Sequence, residues 1–293
     1  MIYRVEKNEP VSDGVRRIAA EEIHAVMAEL GSVPLDSENI HEARRHLKKL
    51  RALLRFAREP FSNALFRKEN QTFRAMGKRL SPVRDAFIIN QAFALVLKHS
   101  SGKTKTRFRF LSTAFQNDCE RRTIGKAELA RIMKSLRAAL GRVELWPLGD
   151  FGLREVRAAL ERSFRRGKKT FRKSLNTETS EAFHEWRKRV KDLEFHLSLL
   201  ELTWRKGMKR PWSKIQRLDN FLGEDHDLAV LSEKLHLFKF KGEELQNGYR
   251  KLVAVIGRRR AKFQHRAIRI GKDLFAKRPR SFVCQNVGLE FFT

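Results

Sequence analysis

The sequence is poor in cysteine, proline and acid. Its two cysteines, Cys119 and Cys284, stand far apart and form no Cys-x-x-Cys pair. That excludes a disulfide framework and a cysteine zinc site, and it fits a reducing compartment. Seven prolines in 293 residues leave long stretches without a helix breaker. No train of alternating apolar and polar residues marks a set of strands. The opening MIYRVEKNEP lacks the apolar core of a signal peptide. The most apolar long run, AFIINQAFALVL at 86–97, is too short to span a bilayer and carries Asn90 and Gln91. The expectation is a soluble cytoplasmic protein with no membrane span.

The shortage of acid is the informative one. Against 63 Lys and Arg there are 34 Asp and Glu, which gives a net charge of +29 with histidines neutral. Self-repulsion at that charge destabilises a compact state, so the excess points to an anionic partner: nucleic acid, another polyanion or an anionic membrane. The chain is nevertheless 41% hydrophobic, enough to bury a substantial core, so its 33% of charged residues does not make it disordered.

Helical periodicity dominates what is present. The pattern predicts helices near 12–30, 37–59, 62–99 with a break at Ser81-Pro82, 104–141, 150–175, 179–203, 212–240 and 243–277. Ser12, Ser37 and Ser180 are the expected N-caps. GSVP at 31–34, HSSGKT at 99–104 and LWPLGD at 145–150 read as connections. The closing SFVCQNVGLEFFT is apolar and is expected to pack back on the body, in a conformation that its pattern does not specify.

A long-period repeat runs through the chain. His41, Arg44, Arg45, Lys48 and Leu50 match His184, Arg187, Lys188, Lys191 and Leu193 at an offset of 143. Farther on, Leu80 and RDA at 84–86 match Leu222 and HDL at 226–228 at an offset of 142. Two separate matches at nearly one offset divide the chain into related halves. The expected organisation is an N-terminal segment 1–10, a first helical half 11–142, a second half 150–277 and a tail 278–293.

The repeated stretches, HEARRHLKK and HEWRKRVK, concentrate cations. On a helix at about 100° per residue, Arg44, Arg45, Lys48 and Arg55 fall within roughly 60° of His41. Ala43, Leu47, Leu50 and Leu54 fall opposite. His184, Arg187, Lys188 and Lys191 likewise share a face, opposite Trp186, Val190, Leu193 and Leu197. Cations three and four residues apart repel by a few tenths of a kcal/mol per pair, so the helix alone gains nothing from the stripe. An anion spread along it does gain. Successive cations lie roughly 4.5–6 Å apart along the axis, which suits a ladder of phosphates better than one carboxylate. Arg offers forked donors and Lys a mobile charge. A histidine there is a neutral donor or gains charge beside phosphate.

These residues also carry a family resemblance. IHEARRHLKKLRALLRF and FHEWRKRVKDLEFHLSLLE, followed by RLSPVRDAF and FLGEDHDLAVL, resemble the conserved histidine α-helical domain (CHAD) family over about residues 10–277. The resemblance implies an all-α fold of two pseudo-symmetric four-helix bundles enclosing a basic groove or pore. It also implies binding of inorganic polyphosphate, often at polyphosphate granules. The motif positions are His41, Arg44, Arg45 and Lys48, then His184, Arg187, Lys188 and Lys191. Arg51 and Arg55 extend the first stripe. Glu194 and Ser198 stand at the corresponding second positions, so the halves are not equivalent. Asp85 and Asp227 match the family's later acidic position and are expected to orient nearby Arg or Lys. SPVRD departs from the glycine-containing form seen at Gly223.

Other motifs carry less. His41 and His46 are five apart, whereas a zincin pair needs four, so no metal site is expected. SGKT at 101–104 lacks the first glycine of a P-loop, because position 97 is Leu97. EDHD at 224–227 reads as local charge compensation. The Glu-x-Glu-x-Lys motif of triphosphate tunnel enzymes is absent. RSFRRGKKTFRKS at 162–174 places Arg165, Lys168, Lys169 and Arg172 on one helical face, expected to line the same groove or to form an exposed nucleic-acid patch. GRRRAKFQHRAIR at 257–269 is similar but less specific. The leading expectation is a non-enzymatic polyphosphate binder with no cofactor. RNA or DNA binding is the first alternative, weakened because Phe183 and Trp186 lie on the apolar side and there are only two tyrosines. A phosphate-ester or polyphosphate enzyme is the second, weakened by the lack of an evident nucleophile or metal cluster.

Overall fold

The computed structural model describes residues 3–149, 151–239 and 241–288. Twelve α-helices account for most of them: α1 Val11–Leu30, α2 Ser37–Phe56, α3 Asn63–Arg79, α4 Ser81–Lys98, α5 Gly102–Arg107, α6 Arg109–Arg121, α7 Lys126–Val143, α8 Leu153–Thr177, α9 Ser180–Ser198, α10 Lys209–His236, α11 Glu243–Leu274 and α12 Pro279–Asn286. There is no strand among the described residues, only one isolated bridge between Trp204 and Val287. The all-α class follows from the periodicity.

The expected caps shift by one or two residues. Asp36, not Ser37, caps α2: its carboxylate accepts from the amides of Glu38 and Asn39 at 2.8 and 2.9 Å, and Asn39 returns a bond to the Asp36 amide. Thr179, not Ser180, caps α9 through the Ala182 amide. Pro10 precedes α1. Both motif helices thus start from a polar cap that satisfies amides left open by the first turn.

The helix expected over 62–99 does break at the serine–proline pair. α3 ends at Arg79, and α4 starts at Ser81 at an angle of 52° to it. Pro82 has no amide hydrogen to give to the preceding turn. At the equivalent place the second half has Glu224, and α10 runs through without a break. The helix expected over 104–141 is a correction. It is three helices, interrupted at Phe108 and again over 122–125. Thr123 and Ile124 are β-branched, and Gly125 starts α7 in an extended conformation.

Helix pairing follows the same order in both parts of the chain. α1 lies on α2 as α8 lies on α9; α2 lies on α3 as α9 lies on α10; α7 returns to α1 as α11 returns to α8. The two parts meet through α2 against α9 and α4 against α10. One apolar core runs through both parts, from Val5 and Val15 through Leu50, Leu54 and Trp146 to Trp186, Leu197 and Phe275. A second joins α4 and α6 to the far ends of α10 and α11, around Phe93, Phe115, Leu231 and Leu252. Phe93 and Phe115 meet edge to face at 5.0 Å. α12 packs Phe282 and Val283 onto the main core, with Phe282 stacked 4.4 Å from Phe164. The expectation that the tail packs back therefore holds as far as Gly288; residues 289–293 lie outside the described residues.

Two buried polar contacts fix how the outer helices sit. His196 Nε2 faces the Ala52 carbonyl at 2.8 Å and so carries the hydrogen, and the Ser163 hydroxyl donates to Nδ1 at 3.0 Å. This serine–histidine pair joins α2, α8 and α9 inside the core. Glu69 on α3 is 0% exposed and receives two bonds from Arg142 on α7, at 2.6 and 3.1 Å. Removing one partner of such a pair strands a charge in low dielectric. Arg142→Ala is therefore expected to cost about 3 kcal/mol in urea unfolding, and Glu69→Met with Arg142→Leu to recover most of it. Equal stability of Arg142→Ala and the wild type would show that the pair is not what holds α7 on α3.

Candidate functional site

The apolar faces of α2 and α9 bury Ala43, Leu47, Leu50 and Leu54 on one and Trp186, Val190, Leu193 and Leu197 on the other. Because these two helices also pack on each other, their cationic faces are turned into one space. That space is an open cleft of about 450 Å³. Nine lysines and arginines line it against two carboxylates, Glu185 and Asp192, so a large positive excess stays uncancelled. A hollow of about 200 Å³ continues it between α2 and α3, past Arg44, Lys48, Arg51 and Arg74 to Gly77 and Ser81.

The stripe residues do not all remain available to a ligand. Arg55 gives Asp192 a forked pair of bonds at 3.0 and 2.5 Å, and Arg189 gives it a third at 3.0 Å. Lys191 sits between Glu194 at 2.8 Å and Asp219 at 2.9 Å, with its ammonium over the Phe195 ring. Burial lowers the Lys191 pKa, but Asp219 and then Glu194 more than reverse that and raise it. Arg45 pairs with Glu42 outside the cleft lining. Lys188 pairs with Glu185 at 2.5 Å, but its side chain is 48% exposed. An exposed pair of that kind is worth about 0–1 kcal/mol, so a phosphate can displace Glu185 from Lys188. The buried partners of Lys191 cannot be displaced so cheaply.

Five cations are left with no acid in contact. Arg44 donates to the Gly77 carbonyl and the Ser81 hydroxyl, and Arg51 to Asn70 at 3.1 Å. Lys48, Arg74 and Arg187 make no hydrogen bond or ion pair among the described residues. Lys48 is exposed, but only to the water of the cleft, with protein around it on the other sides. Its pKa falls to about 8, first from that desolvation and then from Arg187, Arg44 and Lys191. Burial also pushes Arg51 down to about 10, helped by Arg55. Such depression marks positive charge that the protein leaves uncompensated.

The histidines contribute no charge. His184 stacks on His226 of α10 with ring centroids 4.2 Å apart. Burial, then Lys188 and Arg187, bring His184 down to about 4. Burial, then Arg187, bring His226 down to about 3. His41 is lowered by burial and by Arg84. The repeat explains this placement, since Arg84 and His226 are equivalent positions, each beside a motif histidine. Asp85 attracts Arg44 and Asp227 attracts Arg187. Ser81 and Gly223 are equivalent as well: Arg44 bonds Ser81, while Arg187 lies over Gly223, its guanidinium 3.6 Å from where a Cβ would be.

Other expectations sort differently. Arg165, Lys168, Lys169 and Arg172 do not line the cleft. Arg165, Lys169 and Arg172 are exposed, and Lys168 donates to the Lys277 carbonyl at 3.0 Å. α8 instead turns Arg162 and Arg166 to the cleft's end, one step around the helix, where they meet Arg55 and Arg189. His46 binds Glu22 of α1 at 2.5 Å. Asp225 of the EDHD stretch accepts from Arg260 and Gln264, each at 2.9 Å. Glu38, His41 and Glu42 converge within 4.8 Å, but Glu42 already holds Arg45. Sequence reasoning missed Arg74, Arg189 and His226. α3 carries cations all round, at Arg67, Lys68, Arg74, Lys78 and Arg79, so periodicity does not single out Arg74.

Comparison with known proteins agrees with this architecture. The family model for the CHAD domain matches residues 17–236. The chain belongs to the CHAD family. The crystal structure of the CHAD domain from the plant Ricinus communis is similar in fold, with a TM-score of 0.65 over 94% of this chain and 95% of that one, at 20% sequence identity. Among curated proteins nothing matches the sequence. No single helix among the described residues of this CHAD chain is long and apolar enough to cross a membrane.

Lys48 would make the binding of an anion in this cleft a proton-linked event. Half protonated near pH 8, it is driven to the cationic form by an anion alongside, so binding takes up protons there. Affinity for a phosphate polymer is expected to fall as pH rises from about 7 to 9. Calorimetry at pH 8 in buffers of different ionisation enthalpy reads the uptake directly. Lys48→Arg stays charged, so its uptake disappears and its pH profile flattens. The same uptake in Lys48→Arg as in the wild type would assign the proton to another group.

Proposed function

We propose that this CHAD protein binds inorganic polyphosphate in the α2–α9 cleft without transforming it, in the cytoplasm or at polyphosphate granules. The observation that carries the reading is the set of five cations without acid partners, Arg44, Lys48, Arg51, Arg74 and Arg187, drawn from three helices into one cleft. A protein does not gain stability from such a set; a flexible chain with a negative charge on every unit neutralises it. The row Arg44, Lys48 and Arg51 follows the α2 axis, so it matches a linear anion better than a compact one.

Nucleic acid fits the cleft less well. Single-strand binders present aromatic faces for base stacking. The aromatic carbocycle in the lining is Phe195, which is buried and covered by Lys191. Chemistry also lacks its parts. Neither His41 nor His184 bonds a hydroxyl or thiol among the described residues, and the Ser163–His196 pair is locked in the core with its second nitrogen on a carbonyl.

The structure ranks the charges, and that ranking is the test. Charge-assisted hydrogen bonds contribute about 1.5 kcal/mol or more each. Lys48→Ala with Arg187→Ala is therefore expected to weaken polyphosphate binding by about 100-fold at fixed salt. Lys188→Ala with Lys191→Ala, which removes cations already held by acids, is expected to cost much less. Affinity is expected to fall steeply with salt through counterion release, and polymer incubated with protein and Mg²⁺ to keep its length. Equal losses in the two double variants, or tighter binding to RNA at matched charge, would refute this assignment of the cleft. Release of orthophosphate that stops in His184→Ala would make the protein an enzyme.

A further inference from the structure

Two basic stretches stay outside the cleft, and the fold puts them side by side. Residues 162–177 of α8 contain seven Lys and Arg and no acid; residues 245–272 of α11 contain nine and no acid. The helices run antiparallel in direct contact. Gly167 meets the Phe275 ring, Gly271 meets Phe171 and Trp186, and Arg260 reaches Ser180 at 2.8 Å. A Cβ at Gly271 would come within 2.7 Å of Phe171, so glycine is what lets the two axes approach. Their outer sides then form one face. Arg165, Lys169 and Arg172 are exposed from α8, and Lys262, Arg269 and Lys272 from α11. None of these six makes an ion pair or hydrogen bond among the described residues.

The face is continuous with the cleft. Arg162 and Arg166 stand on the other edge of α8, where they share a small pocket with Arg55 and Arg189, and those two also line the cleft. Positions 162, 165, 166, 169 and 172 are successive neighbours at spacings of three and four on one helix. Asp192 sits in that pocket and Glu59 holds Arg162 at 2.8 Å, so the free positive charge passes from the cleft's end to the outer face through Arg166, and from there to Thr177 α8 carries no acid.

We infer that a long phosphate polymer held in the cleft continues around α8 onto the α8–α11 face, which serves as a second, length-dependent part of the binding site. The inference rests on the cleft reading. The partner class follows from what the face lacks. The large exposed apolar residues are Val33, Phe110, Leu145, Leu202 and Leu237, none of them on α8 or α11, so nothing anchors it in a bilayer. Phe164 and Phe171 are buried, and His265 is the one ring fully exposed on the described part of the face, too few for a run of stacked bases. A duplex nucleic acid suits a flat basic face but cannot thread from it into the cleft; a single phosphate chain can. Joining two surfaces through one ligand raises affinity without any new kind of contact.

The test compares two probes on three proteins at physiological salt. The probes are tripolyphosphate and long-chain polyphosphate; the proteins are the wild type, Arg165→Gln/Lys169→Gln/Arg172→Gln/Lys262→Gln/Arg269→Gln, and Lys48→Ala/Arg187→Ala. The five substitutions remove exposed, mutually repelling charges, so the fold is retained. Tripolyphosphate, short enough to stay in the cleft, reads any change that they make in the cleft itself. The expected result is a loss of about 10-fold or more for the long chain in the outer-face variant, with a shallower salt dependence, and no change for tripolyphosphate. The cleft variant loses both probes. Full long-chain affinity in the outer-face variant would overturn the inference; so would a parallel titration with duplex DNA in which that variant loses DNA binding alone, which would make the face a nucleic-acid surface. A cleft variant that keeps both probes would instead sink the cleft reading and, with it, the continuous track.

Discussion

Asp192 lets two cationic helices lie against each other. It is 8% exposed, sits on α9 and accepts two bonds from Arg55 of α2 and one from Arg189 of its own helix. Without a carboxylate there, the α2–α9 contact would bring two guanidiniums together in a poorly hydrated place, where each charge costs several kcal/mol to strand. With it, the apolar faces of both helices stay in the core and the remaining cations are held at fixed places around the cleft. His196, on the same helix, is neutral, its pKa brought to about 4 chiefly by burial, so it adds no charge to a crowded region. The cleft is thus a balance: enough acid at one end to permit packing, and none along the row from Arg44 to Arg51.

The repeat makes the imbalance between the halves easy to see. Lys48 and Lys191 are equivalent, yet one is depressed toward neutrality by uncompensated cations and the other is held charged by two acids. Those acids stand where the first half has Arg51 and Gly77. Replacing a cation by Glu194 and a glycine by Asp219 turns a ligand position into an internal salt bridge. Pro82 and Glu224 divide the halves in the same way, since one breaks its helix and the other continues it. The halves share a plan of packing, but the open electrostatics belong mainly to α2 and α3, with Arg187 reaching in from α9.

What the sequence made legible follows from the range of each interaction. The faces of α2 and α9 and the break before Pro82 are local patterns, and each has its place in the structure. The sorting of the stripe is not local. Asp192 is 137 residues from Arg55, and Asp219 is 28 from Lys191; no spacing rule connects them. The α8 stripe was misplaced for a related reason. Periodicity identifies a polar face but not which edge of it the neighbouring helix will cover, and a step of one residue exchanges Arg165 for Arg166. The interruption of 104–141 was hidden because Phe108, Thr123 and Ile124 fit a helix as single residues, and only their packing and the start at Gly125 end it.

The neutral histidines give the motif its logic. At neutral pH His184 and His226 are imidazoles, not imidazolium ions, with pKa values near 4 and 3. A lysine or arginine in place of His184 would add another uncompensated charge beside Arg187 and Lys188, in a cleft that already pushes Lys48 down to about 8. An apolar residue would leave nothing to meet an oxygen. A neutral imidazole is polar without adding to the repulsion, and its ring stacks on His226 with centroids 4.2 Å apart. Among cations this close, an uncharged polar ring adds no repulsion, and His184 occupies that place between Arg187, Lys188 and the stacked His226.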